Sequence, residues 1–101
     1  MRGPPALVAV AAATQRLAVL LGAGVAPASA WGYLAEDVPG VPAVVARDPT
    51  RIALSIAAAA ADLPPLERDA WRGLAAAWAV ATDAGAPLSA SLRDYAASMR
   101  E

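Results

Sequence analysis

The sequence has no cysteine, no histidine and no phenylalanine, and since all eight basic residues are arginine it has no lysine. Each absence closes a class of function. Without cysteine there are no disulfides, no thiol catalysis and few of the common zinc sites, which excludes an exported disulfide scaffold. Without histidine the commonest general base and metal ligand is missing. Net charge is −1, and the close basic pairs, Arg47/Arg51 and Arg68/Arg72, are each mixed with Asp or Glu. A nucleic-acid binder needs clustered, uncompensated positive charge to neutralise phosphates, so this chain is not read as one. No phosphate loop, zinc motif or nucleophile elbow is present.

What is present is apolar: 58% of 101 residues are hydrophobic and 17% charged, enough to fold and consistent with one domain over residues 1–101. Nearly a third of the chain is alanine and only 5% is aromatic. Alanine is the best helix former but buries little area, so thin helices must pack closely. Trp31, Trp71 and Trp78, with Tyr33 and Tyr95, are expected to supply much of the core.

Glycine and proline punctuate the chain into helices. The first runs from Ala6 to about Leu21 behind Pro4-Pro5, with residues 1–5 expected to be disordered; Gln15 and Arg16 make it too polar for a membrane span. A second runs from Pro27 to about Glu36, followed by a turn at Asp37–Gly40 and a short apolar segment from Val41 to Arg47. Asp48-Pro49 reads as N-cap and first helical residue of a helix reaching about Asp62, with Ile52 and Ile56 on its buried stripe. The longest helix spans Leu66–Thr82 and places Trp71, Leu74 and Trp78 on one face. The last begins near Pro87 or Ser89 and carries Leu88, Leu92, Tyr95 and Met99. No segment alternates at period two, so the fold class is all-α: a compact bundle of about five or six helices.

One unit occurs twice. Ala23–Ala35 and Ala84–Ala96 each follow an apolar helical stretch, break at Ala-Gly, and restart with proline and small residues into an amphipathic run. A shift of 61 residues (85 − 24) aligns Gly24 with Gly85, although Pro27 and Pro87 then miss each other by one position. The bundle is therefore expected to consist of two similar helix-turn-helix halves.

Two segments carry a resemblance to a known family. Arg16–Pro27 is similar to the leucine-rich helix and Ala-Gly-Leu/Val-Pro of the type II secretion system protein F family, the inner-membrane platform proteins of type II secretion and of type IV and Tad (Flp) pilus machines. Ala79–Leu92 resembles the same family's helix, Gly, Leu-x-x-x-Leu arrangement, in the form found in alanine- and arginine-rich Tad-type members. The match covers roughly residues 6–100. At Val45–Pro49 the chain departs from the family's Gly-x-x-x-Ser/Ala stretch, and it lacks the family's hydrophobic membrane helices. The resemblance implies an excised cytoplasmic domain, or a short open reading frame, at the cytoplasmic face of the inner membrane. It implies a non-catalytic coupling role, with an assembly ATPase and pilin or other platform components as partners, and it marks Gly24, Pro27, Gly85 and Pro87 as the family-motif turns.

Each candidate residue also has a plainer use. Gly24 and Gly85 are accounted for by helix C-capping alone. Arg68 and Arg72, one turn apart, form either a docking patch for an acidic partner or surface ion pairs with Glu67 and Asp69. Trp71 and Trp78 form either an exposed hot spot or core. The carboxylates Asp62, Glu67, Asp69 and Asp83 suit solvated faces or caps better than metal or acid–base chemistry, and Ser89 and Ser91 have no base to activate them, so no cofactor and no enzymatic activity are expected. The high apolar fraction leads us to expect a homodimer through the Trp71/Leu74/Trp78 face or the Leu88/Leu92/Tyr95 face. A second reading takes residues 1–30 as a secretory signal peptide, with cleavage after Ala28-Ser29-Ala30, leaving a secreted small helical protein.

Overall fold

A computed structural model describes residues 4–100. It contains six α-helices and no strand among those residues: α1 (Pro5–Gly22), α2 (Pro27–Asp37), α3 (Val41–Arg47), α4 (Ile52–Ala60), α5 (Pro65–Ala84) and α6 (Leu88–Met99), with a 3-10 turn at Pro49–Arg51 ahead of α4. Pro5 is already the first residue of α1, while residues 1–3 of the segment expected to be disordered lie outside the described residues.

Proline sets where helices start. Every proline except Pro39 lies at an N-cap or in the first two positions of a helix or 3-10 turn, where its missing N–H costs nothing and its fixed φ is already helical. No helix carries a side-chain N-cap hydrogen bond. Asp48 does take the expected N-cap position ahead of Pro49, but of a 3-10 turn and without a side-chain cap bond. Its carboxylate accepts from the Thr50 hydroxyl at 2.6 Å, and its backbone carbonyl accepts from Ser55 Oγ at 3.3 Å, so Pro49–Arg51 closes as a 3-10 turn and α4 begins three residues late.

The two halves are alike in backbone as well as in sequence. After α1, Gly24 takes φ +93° while Val25 N donates to Leu20 O and Gly24 N to Leu21 O. After α5, Gly85 takes φ +68° while Ala86 N donates to Ala81 O and Gly85 N to Thr82 O. Both are Schellman loops, and every partner in one is 61 residues from its counterpart. The helices that follow start in the same register, Pro27 at the head of α2 and Leu88 at the head of α6. The proline mismatch thus has no backbone consequence: Pro87 is an N-cap where Ala26 is an N-cap, both with φ −63°. The buried faces follow the same shift, pairing Val10 with Trp71, Ala13 with Leu74, Leu17 with Trp78 and Trp31 with Leu92.

The halves are closed by unequal neighbours. α1 packs chiefly on α6, with Gly22 against Ser89 at the junction, whereas α5 packs chiefly on α4. α2 reaches α5 through Trp31 and Trp78, whose ring centroids are 5.9 Å apart with planes tilted by 55°. All three tryptophans are in the core, Trp31 at 0%, Trp71 at 5% and Trp78 at 4% exposure. At 150–250 Å² each, their burial is worth about 4–6 kcal/mol apiece before entropy, against little more than one methyl group for each alanine. Tyr33 departs from expectation: it is 52% exposed, and Tyr95 is half-buried.

α1 also corrects the sequence expectation about its polarity. By length and composition Pro5–Gly22 is long and apolar enough to cross a membrane, with a mean hydropathy of 1.5. A core helix and a leader segment pass the same test. Here its buried side, Val10, Ala13, Leu17 and Ala18, lies in the core, and Arg16 pairs with Asp37 of α2 at 2.6 Å.

Candidate functional site

The residues singled out from the sequence separate into three groups. Gly24, Pro27, Gly85 and Pro87 are all exposed and build the two loops described above. They are brought together only as equivalent positions of two halves, and their geometry is accounted for by capping.

The second group stood between a surface and the core, and most of it is core. Trp71, Leu74 and Trp78 are buried against other core residues, and Leu92 is 0% exposed. The physical reason is supply: with no phenylalanine and so much alanine, the bundle has few large side chains to fill its interior and uses these. Tyr95 is half-buried, and its hydroxyl donates to Ala70 O of α5 at 2.6 Å. That environment pushes the phenol's pKa above the usual 10, because burial disfavours the charged phenolate. Of the two faces expected to pair copies, Trp71/Leu74/Trp78 is buried, while on the other Leu88 and Tyr95 are half-buried beside a buried Leu92.

Arg68 and Arg72 form the third group. Arg72 is exposed, and Arg68 is half-buried, with Nε 3.5 Å from Asp69 Oδ1. The Arg68 Nε atom has no hydrogen-bond partner, so the 3.5 Å contact is an ion pair in distance only and the weak surface kind in energy. Among the described residues no three His, Cys, Asp or Glu side chains are close enough to hold a metal ion.

The most site-like feature is one that sequence reasoning missed. A cleft of about 470 Å³ opens between the Pro49–Arg51 turn, the first turn of α4, the end of α5 and the heads of α2 and α6. Ile52, Trp78 and Leu88 give it an apolar lining, while Arg51 and Asp83 bring opposite charges to it. Leu54 also lines it and is 64% exposed. The sequence did hold a signal, since Leu54 falls off the Ile52/Ile56 stripe of α4. The late start of α4 is what gives Arg51 and Ile52 their positions.

Nothing in this cleft is a catalytic constellation: it presents one carboxylate, one guanidinium and two hydroxyls, Thr50 engaged with Asp48 and Thr82 with backbone carbonyls of its own helix. Comparison with protein-family models, with curated proteins and with solved structures finds no match to the chain.

Proposed function

We propose that this chain is a non-catalytic cytoplasmic domain of a protein-F-like inner-membrane platform component, coupling an assembly ATPase to pilin or pseudopilin movement in Tad or type IV pilus assembly or in type II secretion. The observation that carries the reading is the pair of Schellman loops 61 residues apart, because they fall on the two segments, Arg16–Pro27 and Ala79–Leu92, in which the sequence resembles that family. A scaffold of two equivalent halves suits a part that transmits force between partners, and the chemistry on its surface suits contact better than turnover. Arg72 is the exposed member of the expected docking patch, with Arg68 half-buried beside Asp69.

The leader-peptide reading has the apolar helix α1 in its favour. Against it, Ala28, Ser29 and Ala30 lie inside α2 rather than in an extended segment a peptidase could grip, and the following Trp31 is wholly buried.

The test of the platform reading is binding to the cognate assembly ATPase. The purified chain is expected to co-sediment with that ATPase and to change its hydrolysis rate, while having no hydrolytic activity alone. If it neither co-sediments nor alters the rate at high micromolar concentration, the platform reading is wrong.

A further inference from the structure

We infer that the chain pairs with a second copy of itself about a two-fold axis through the cleft at the end of α5, with Leu54 of each copy seated in the cleft of the other and Arg51 facing Asp83 across the interface. This goes beyond the platform reading and does not depend on it.

Three observations on one face carry the inference. The first is a projection beside a recess: Leu54 leaves about two thirds of its area in solvent at the edge of an apolar cleft of about 470 Å³. The second is the charge pattern. Arg51 and Asp83 line the same cleft, both exposed, and among the described residues neither has an ion-pair partner within 4.0 Å. A rim of one sign would point to a partner of the opposite sign. A rim carrying one charge of each sign is complementary to itself, and a two-fold axis is the operation that lays a patch on its own copy, residue i on j and j on i. The third is area. A stable interface needs about 800 Å² per partner, roughly one seventh of the 5580 Å² surface of this molecule, which a single face of the bundle can provide.

The experiment is sedimentation equilibrium of the whole chain from low to high micromolar concentration, with four variants. Leu54, Arg51 and Asp83 are all exposed, so circular dichroism and melting are expected to show each variant folded. The unaltered chain should form a dimer in a concentration-dependent way. Leu54→Glu should weaken it on the order of tenfold or more, because it puts a charge into an apolar recess. Arg51→Glu and Asp83→Arg should each weaken it by placing like charges opposite one another twice per dimer. The decisive arm is rescue. The double variant R51E/D83R, and equally a one-to-one mixture of the two single variants, should recover the dimer, since in both cases every 51–83 contact across the axis again joins opposite charges. A strict monomer at high micromolar concentration overturns the inference. So does a dimer insensitive to Leu54→Glu, and so does the absence of rescue on mixing.

Discussion

The phenol of Tyr95 occupies the space that a side chain on Gly73 would need. A Cβ built on Gly73 would lie 2.6 Å from Tyr95 Cζ and nearer still to its hydroxyl oxygen, and the same hydroxyl donates to Ala70 O one turn earlier. α5 and α6 therefore meet at a glycine, and the tyrosine ring lies against bare backbone. Glycine here serves close approach, not backbone freedom.

That contact fixes the sign of a substitution that helix propensity would misjudge. Replacing a mid-helix glycine by alanine normally stabilises by about 1 kcal/mol. Gly73→Ala is expected instead to destabilise by about 1–3 kcal/mol, because the methyl group must push the ring and its hydrogen bond off α5. Gly32→Ala is the control. Gly32 is also helical, no heavy atom lies within 4 Å of its built Cβ, and that change should raise the melting temperature. In a Tyr95→Leu background the cost of Gly73→Ala should shrink, and this non-additivity identifies the contact. A raised melting temperature for Gly73→Ala alone would refute the close approach.

The same phenol gives the stability a defined dependence on pH. Burial raises the Tyr95 pKa above 10 in the folded chain, so between about pH 10 and that raised value the unfolded chain binds fewer protons than the folded one. The slope of stability with pH is then negative. The contribution is fully present below pH 10 and is lost as pH rises through the folded pKa, where ionisation also removes the donor to Ala70 O. Urea midpoints are expected to stay flat in this respect up to about pH 9 and to fall above 10. Tyr95→Phe should remove the part of that fall due to this group. An equal fall in Tyr95→Phe would show that the phenol is not its source.

Local features of this fold were legible because glycine and proline wrote them. The helix start at Pro27 and the stops before Gly24 and Gly85 follow from φ restrictions acting on single residues, and the 61-residue echo survives as two loops with the same hydrogen-bond pattern. What depended on distant partners was not legible. Gly73 and Tyr95 are 22 residues apart, and nothing around either one shows that they touch. The choice between core and surface for Trp71, Trp78 and Leu92 was set by how few large side chains the rest of the chain supplies. Asp48 keeps the N-cap position, but its carboxylate accepts from the Thr50 hydroxyl instead of a backbone N–H, and the 3-10 turn formed there lines the cleft beside Arg51 and Leu54.

The two loops make equivalent predictions of unequal size. Gly24 and Gly85 both hold positive φ, which β-branched residues resist, so Gly24→Val and Gly85→Val should each cost about 1 kcal/mol or more. Gly24→Val should cost more. Leu20 and Val25, which flank the first loop, both pack on the core, whereas in the second loop Ala81 is buried and Ala86 is exposed. Strain at the first loop is therefore passed to packed side chains. Unchanged melting temperatures for both variants would remove the loop assignment.

The final prediction concerns α1 and Trp31, on which the core depends jointly. Trp31 is wholly buried, its ring tilted against Trp78, and its Nε1 has no hydrogen-bond partner, a cost of about 1–3 kcal/mol that its apolar area must outweigh. α1 belongs to the same core, contributing Val10, Leu17 and Ala18, and packs chiefly on α6. Removing residues 1–30 deletes α1 and the start of α2, so residues 31–101 are expected to lose cooperative unfolding. In the full chain all three tryptophans should be shielded from acrylamide, and in the fragment all three should be quenched. Trp31→Ala in the full chain should cost about 3–5 kcal/mol, a large part of the stability of a domain this small. A fragment that melts in a single sharp transition with shielded tryptophans would show that α1 is dispensable, and with it the case that residues 1–30 belong to the folded domain would fall.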